Sequence, residues 1–137
     1  MEECNTNIQL EQRQLNEYSP LTLAFLGDAV YEQMVRERLL LAANRPVGQL
    51  HQLTIKRVCA KFQAKAVEVI LPILSEEEQV VLKRGRNATG TTVPKHSSAI
   101  EYRHATALES LFGYLHLKGE TERLTQLFDV IWAMQVE

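Results

Sequence analysis

Apolar residues recur along this chain at three- and four-residue intervals, and no stretch alternates as a strand would. The pattern predicts an all-α domain. Its first strong run, Leu21 to Glu32, reads LTLAFLGDAVYE. Ser19 in the capping position and Pro20 in the first helical position predict a helix from about Pro20 to Leu41. Gly27 inside that helix costs about 1 kcal/mol against Ala, so it predicts a close approach by another backbone or helix. A second helix is predicted from about Val47 to Ile70, ended by Pro72. Arg57, Lys61 and Lys65 recur on it every four residues and predict one basic stripe.

Ser75 to Glu78 reads as a capping box, opening a short helix that ends in Lys83-Arg84-Gly85-Arg86. The segment from Gly85 to Ser97, GRNATGTTVPKHS, predicts a basic loop rich in hydrogen-bond donors. Ser98 and Glu101 form a second capping box for a helix reaching Lys118, with Gly119 as its stop. Ile100, His104, Ala107, Leu108, Leu111, Phe112 and Leu115 fall on its inward face, with Glu109 beside them. Leu124, Leu127, Phe128, Ile131 and Trp132 predict a last helix over Thr121 to Val136. Residues 1–18 read as a loose lead-in to a single domain that fills the 137 residues.

Composition changes this picture little. The chain is 45% hydrophobic and 23% charged, which suits a packed core and excludes wholesale disorder. No apolar run approaches the roughly 18 residues of a membrane span. The start, MEECNTNIQLEQRQ, has neither the basic nor the apolar part of a signal peptide, so a cytoplasmic place and no membrane partner are expected. The two cysteines, Cys4 and Cys59, form no metal-binding or disulfide framework, and Cys59 is expected as a buried thiol.

Charge changes it more. The net charge of -2 hides a segregation: neither Arg38 to Val67 nor Gln79 to Ile100 contains an acid, and together they hold ten of the fifteen Lys and Arg residues. Folded together, these windows would give a basic face suited to phosphate. Lys83, Arg84, Arg86, Asn87 and Lys95 are the leading candidates, and Lys61 on the stripe is a weaker one.

Two acids stand near apolar faces, Asp28 and Glu109. A desolvated carboxylate needs a partner, either a base or a metal. Mg²⁺ takes oxygen ligands, often only one or two carboxylates, and keeps several waters. None of His51, His96, His104 and His116 forms a metal-spaced pair, so a histidine-based mechanism is not favoured.

The run Leu23-Ala24-Phe25-Leu26-Gly27-Asp28-Ala29-Val30 resembles the FLGDA signature of the ribonuclease III family. Lys83 to Ala88 and Tyr102 to Leu115 resemble the compact bacterial branch, Mini-ribonuclease 3, as does Val58 to Ala64, VCAKFQA. The resemblance covers about residues 18 to 130. It implies a metal-dependent endonuclease acting on double-stranded RNA as a homodimer, without the double-stranded-RNA-binding domain of larger members. It implies further that Asp28 and Glu109 hold Mg²⁺, with Mn²⁺ as a substitute. Products would carry 5′-phosphate and 3′-hydroxyl ends, and Phe25 would pack into the partner subunit. The branch also implies maturation of precursor 23S ribosomal RNA, and leaves open a helper ribosomal protein.

The chain departs from the full-size signature at two places, where Ala24 and Thr106 replace carboxylates. That departure motivates an alternative, a non-catalytic helical RNA-binding or ribosome-assembly factor. A purely structural dimeric helical module is a third possibility.

Overall fold

The computed structural model describes residues 9–88 and 98–137. Among the described residues there are seven α-helices and no strand. They are α1 (Gln12–Leu15), α2 (Pro20–Ala42), α3 (Val47–Val58), α4 (Ala60–Ile70), α5 (Glu76–Asn87), α6 (Ala99–Lys118) and α7 (Thr121–Trp132), with a 3-10 turn over Leu71–Ile73 after α4.

The helices gather around α6. Every residue of α6 from Ala105 to Leu115 is buried except Glu109. This is more than one amphipathic face: α2, α4, α5 and α7 pack around the rod, and α1 adds a short contact. Ile100, expected to face inward, lies on the first turn and is exposed. At the centre, the Tyr31 ring meets Phe112 and Phe128 edge-on, with centroids 5.5 and 5.9 Å away. Tyr31, Phe112, Phe128, Leu108, Leu111, Leu127 and Ile131 are fully buried. Each such side chain contributes about 1.5–3 kcal/mol to stability.

The capping residues act as the sequence predicts. Ser19, Ser75 and Ser98 accept from the backbone N–H of Thr22, Glu78 and Glu101, and the last two are complete capping boxes. Gly119 ends α6 at φ 82°, in the left-handed region where a side chain would be strained.

Five expectations change. The predicted helix over Val47 to Ile70 is two helices. Cys59 is extended (ψ 153°) and serves as both the C-cap of α3 and the N-cap of α4. Its thiol is exposed, not buried. The break also takes Arg57 off the helix that carries Lys61 and Lys65. Next, α5 continues through Gly85 to Asn87, so the predicted loop starts later. Gly85 is buried where α5 crosses α6: a Cβ there would lie 2.7 Å from Ser110 Oγ. Fourth, α7 stops at Trp132 rather than Val136. Last, the described part of the lead-in is docked. Leu15 is buried, the Leu10 N–H donates to Leu117 O at 2.6 Å, and the Tyr114 hydroxyl donates to Gln12 Oε1 at 3.0 Å.

Candidate active site

The site is made by two glycines. A Cβ at Gly27 of α2 would lie 1.6 Å from the carbonyl oxygen of Glu109 on α6. A Cβ at Gly113 would lie 2.0 Å from the carbonyl oxygen of Leu23. The two helices therefore touch backbone to backbone, and a side chain at either position would force them apart. Asp28 follows Gly27 directly, so the crossing that presses Gly27 onto Glu109 also carries Asp28 to its side chain. Ser110 braces the contact, its hydroxyl donating to Pro20 O at 2.8 Å.

The electrostatics follow from this packing. Glu109 is half-buried and has a second carboxylate beside it. Desolvation, then the hydrogen bond and the negative charge of Asp28, push its carboxyl up to about 8. In that form protonated Glu109 donates to Asp28. Gln63 on α4 acts in the opposite direction and favours the charged form. A divalent cation between the carboxylates would meet the charge that a proton otherwise cancels, so the pair suits Mg²⁺ or Mn²⁺ as ligands. The described residues offer no group of three or more His, Cys, Asp or Glu side chains for a metal.

Ala24 and Thr106 are both buried. The Thr106 hydroxyl is committed to Tyr102 O at 3.0 Å.

The candidate RNA-binding residues separate. Lys83, Arg84, Arg86 and Asn87 lie exposed on the last turns of α5. Lys83 and Arg86 border a cleft with His104, Ala107 and Val67. Arg84 lies on another side, beside Glu77, Tyr114 and the start of α2. Lys95, like His96, is outside the described residues. Lys61 and Lys65 both donate to the Glu137 carboxylate at 2.9 Å. Those two bonds hold the Glu137 carboxyl down at about 2 and raise the proton affinity of Lys61. Arg57 stacks over Trp132, 3.6 Å from the ring centroid, and donates to Trp132 O at 3.3 Å. The expected stripe is thus divided: Arg57 is held by Trp132, while Lys61 and Lys65 share Glu137. Phe25 stands 84% exposed on α2.

Sequence reasoning passed over Gln63 as a candidate residue. Its signal was available: it is an amide among Phe62, Ala66, Val67 and Ile70, the buried positions of α4.

Residues 21–120 match the Ribonuclease III domain. The chain belongs to the ribonuclease III family. Within the family it groups with the compact branch. It is 47% identical to a Mini-ribonuclease 3 of Thermoanaerobacter sp. (strain X514), over 82% of this chain and 79% of that protein. It is 43% identical to a Mini-ribonuclease 3 of Brevibacillus brevis, over 89% of this chain and 91% of that one. A crystal structure of a Fusobacterium nucleatum protein superposes with a TM-score of 0.78 at 33% identity, covering 84% of this chain and 93% of the other. Family membership makes the chain an endoribonuclease of ribonuclease III type, with RNA as its substrate. No helix among the described residues is long and apolar enough to cross a membrane.

Proposed function

We propose that this endoribonuclease cleaves double-stranded RNA, depends on Mg²⁺ (with Mn²⁺ able to replace it), and works as a homodimer. The observation that carries the reading is the meeting of Asp28 with Glu109 at the Gly27–Gly113 crossing. Ionised, the two carboxylates would hold the cation. When bound, the cation supplies an activated water and charge stabilisation for the leaving 3′ oxygen, giving 5′-phosphate and 3′-hydroxyl ends. The chain itself sets the direction of the two carboxylates through the locked α2–α6 contact. It excludes bulk water behind Glu109 with the packed core of α6. Exposed Lys83, Arg84, Arg86 and Asn87 grip backbone phosphates, which suits A-form RNA, a duplex read mainly through backbone and shape.

A duplex has two strands to cut, and a two-fold dimer supplies two sites. Phe25, 84% exposed in the single chain, supports dimerisation. The same helix contributes to a groove of about 460 Å³ lined in part by Leu39, Leu40, Val47 and Leu50, an apolar seat of the right kind. The branch points to a stem of precursor 23S ribosomal RNA as substrate, with a ribosomal protein as helper, in the cytoplasm.

The test incubates the protein with such a stem, with Mg²⁺ or with chelator, beside Asp28→Asn. Cleavage is expected only from the parent with metal; cleavage that persists in Asp28→Asn would remove the assigned site. The buried Ala24 and Thr106 favour one alternative, an RNA-binding assembly factor without catalysis. RNA binding with no cleavage under any metal condition would select it.

A further inference from the structure

Gln63 is 2% exposed, and its Nε2 has no hydrogen-bond partner among the described residues. A buried donor without an acceptor is costly and rare. It is unpartnered beside the one residue of the central α6 run that is not itself buried. Gln63 lies on α4, which packs against α6, with its side chain beside the Glu109 carboxyl, but no hydrogen bond of ordinary geometry joins them. A carboxylate oxygen of Glu109 is an acceptor within reach, and the buried Gln63 amide is a donor with its N–H still to place.

We propose that Gln63 is a positioning residue for Glu109, a buried amide kept without a partner so that its Nε2–H can fix the ionised carboxylate when a divalent cation binds. The proposal rests on the reading of Asp28 and Glu109 as the metal ligands. Gln63 touches neither metal nor RNA in this role. It orients one carboxylate as outer hydrogen-bond partners orient metal ligands elsewhere, and loss of such a partner typically weakens metal binding by about 10- to 100-fold. An amide serves better than a second acid, which would add charge, and better than a Met or Leu, which would leave the carboxylate free to rotate. The unpaired amide also means that the metal-free protein gives up stability at this position.

Binding of Mn²⁺ alone to the metal-free full chain, followed by the loss of free Mn²⁺ electron paramagnetic resonance signal into the millimolar range, tests this. Gln63→Met keeps the volume and removes the donor. Its dissociation constant is expected to rise at least about tenfold, while its Tm in chelator stays at or above the parent's. An affinity within twofold of the parent's, or a fall matched by a lower Tm in chelator, overturns the proposal. Asp28→Asn runs alongside. If it leaves Mn²⁺ binding intact, or if the parent binds none, the metal-site reading has failed and this proposal with it. If it abolishes binding while Gln63→Met does not weaken it, only the Gln63 role has failed. A second readout needs no variant at position 63. On adding Mg²⁺ to the parent, the Gln63 side-chain amide resonances should shift in a ¹H–¹⁵N spectrum, and should stay in place in Asp28→Asn. Resonances that ignore Mg²⁺ in a parent that binds Mn²⁺ overturn the role.

Discussion

Gly27→Ala adds one methyl group at the point where α2 and α6 touch. That methyl carbon would sit 1.6 Å from Glu109 O, 2.5 Å from Glu109 C and 2.8 Å from Gly113 N. The first contact lies about 1.8 Å inside the 3.4 Å at which ordinary van der Waals contact begins. All three atoms are backbone, so no side chain can turn aside, and the helices must separate. Overpacking of this kind costs about 1–3 kcal/mol, with rigid backbone favouring the upper end. Ala recovers up to about 1 kcal/mol through its helix propensity. A net loss of about 2 kcal/mol should lower Tm by roughly 5–10 °C. The effect on the reaction should be larger, because the same separation draws Asp28 away from Glu109. A misplacement of about 1 Å can cost a hundredfold, so cleavage should fall by at least ~100-fold at a temperature where the variant is folded. Gly48→Ala is the control: nothing lies within 4 Å of a Cβ there. It should gain about 0.4–1 kcal/mol and keep full activity. Urea denaturation and cleavage of a labelled duplex measure both quantities. A Gly27→Ala protein as stable and active as the parent would refute the claim that this crossing builds the site.

Three further outcomes are expected. Glu78 accepts from Arg123 Nε at 2.8 Å and from Nη2 at 2.7 Å, and these bonds hold its carboxyl below the usual range. A depressed carboxyl stabilises the fold above its unfolded pKa and loses that contribution as pH falls through the folded value. Glu78→Gln should therefore cost about 1–3 kcal/mol near neutral pH, and the gap to the parent should close in acid; urea midpoints that keep a constant gap from pH 7 to pH 3 would count against it. Phe25→Glu should sediment as a monomer where the parent sediments as a dimer, with an unchanged Tm for the isolated fold because the ring is exposed; an unaltered mass would exclude Phe25 from the interface. Neutralising Lys83 and Arg86 together should reduce the salt slope of RNA binding by about 1 to 2, and an unchanged slope would take their cleft off the RNA path.

Local chemistry was well legible in the sequence. The caps at Ser19, Ser75 and Ser98 and the stop at Gly119 depend on residues within a few positions, so spacing alone reveals them. Cys59 shows the limit. The helical period of apolar residues runs across it without interruption, and nothing in its side chain marks an extended backbone. The break shows only in the backbone, where Cys59 is extended at ψ 153°. Gly85 misled for the opposite reason. Glycine among basic and polar residues suggests a loop, but here it is small because Ser110 and Ala107 of α6 press against it. Packing, not backbone freedom, selected it.

The site itself was half legible. Asp28 and Glu109 stood out because charge near apolar positions needs a reason. Gly27 predicted a close neighbour, but nothing in the sequence alone said that the neighbour would be the backbone of Glu109. That identity is what turns two separate acids into a pair. The basic stripe was only partly legible: charge spacing is visible in the chain, but the break at Cys59 that divides it and the contacts of Arg57, Lys61 and Lys65 with Trp132 and Glu137, about 70 residues away in sequence, are not. Gln63 lies between these cases. An amide on the inward face of α4 requires an explanation as much as an acid does, because desolvating it without a partner is also costly. Weighing polar as well as charged residues against the buried face would have brought Gln63 beside Asp28 and Glu109 before any coordinates. That leaves its missing hydrogen bond as the one thing only the structure could show.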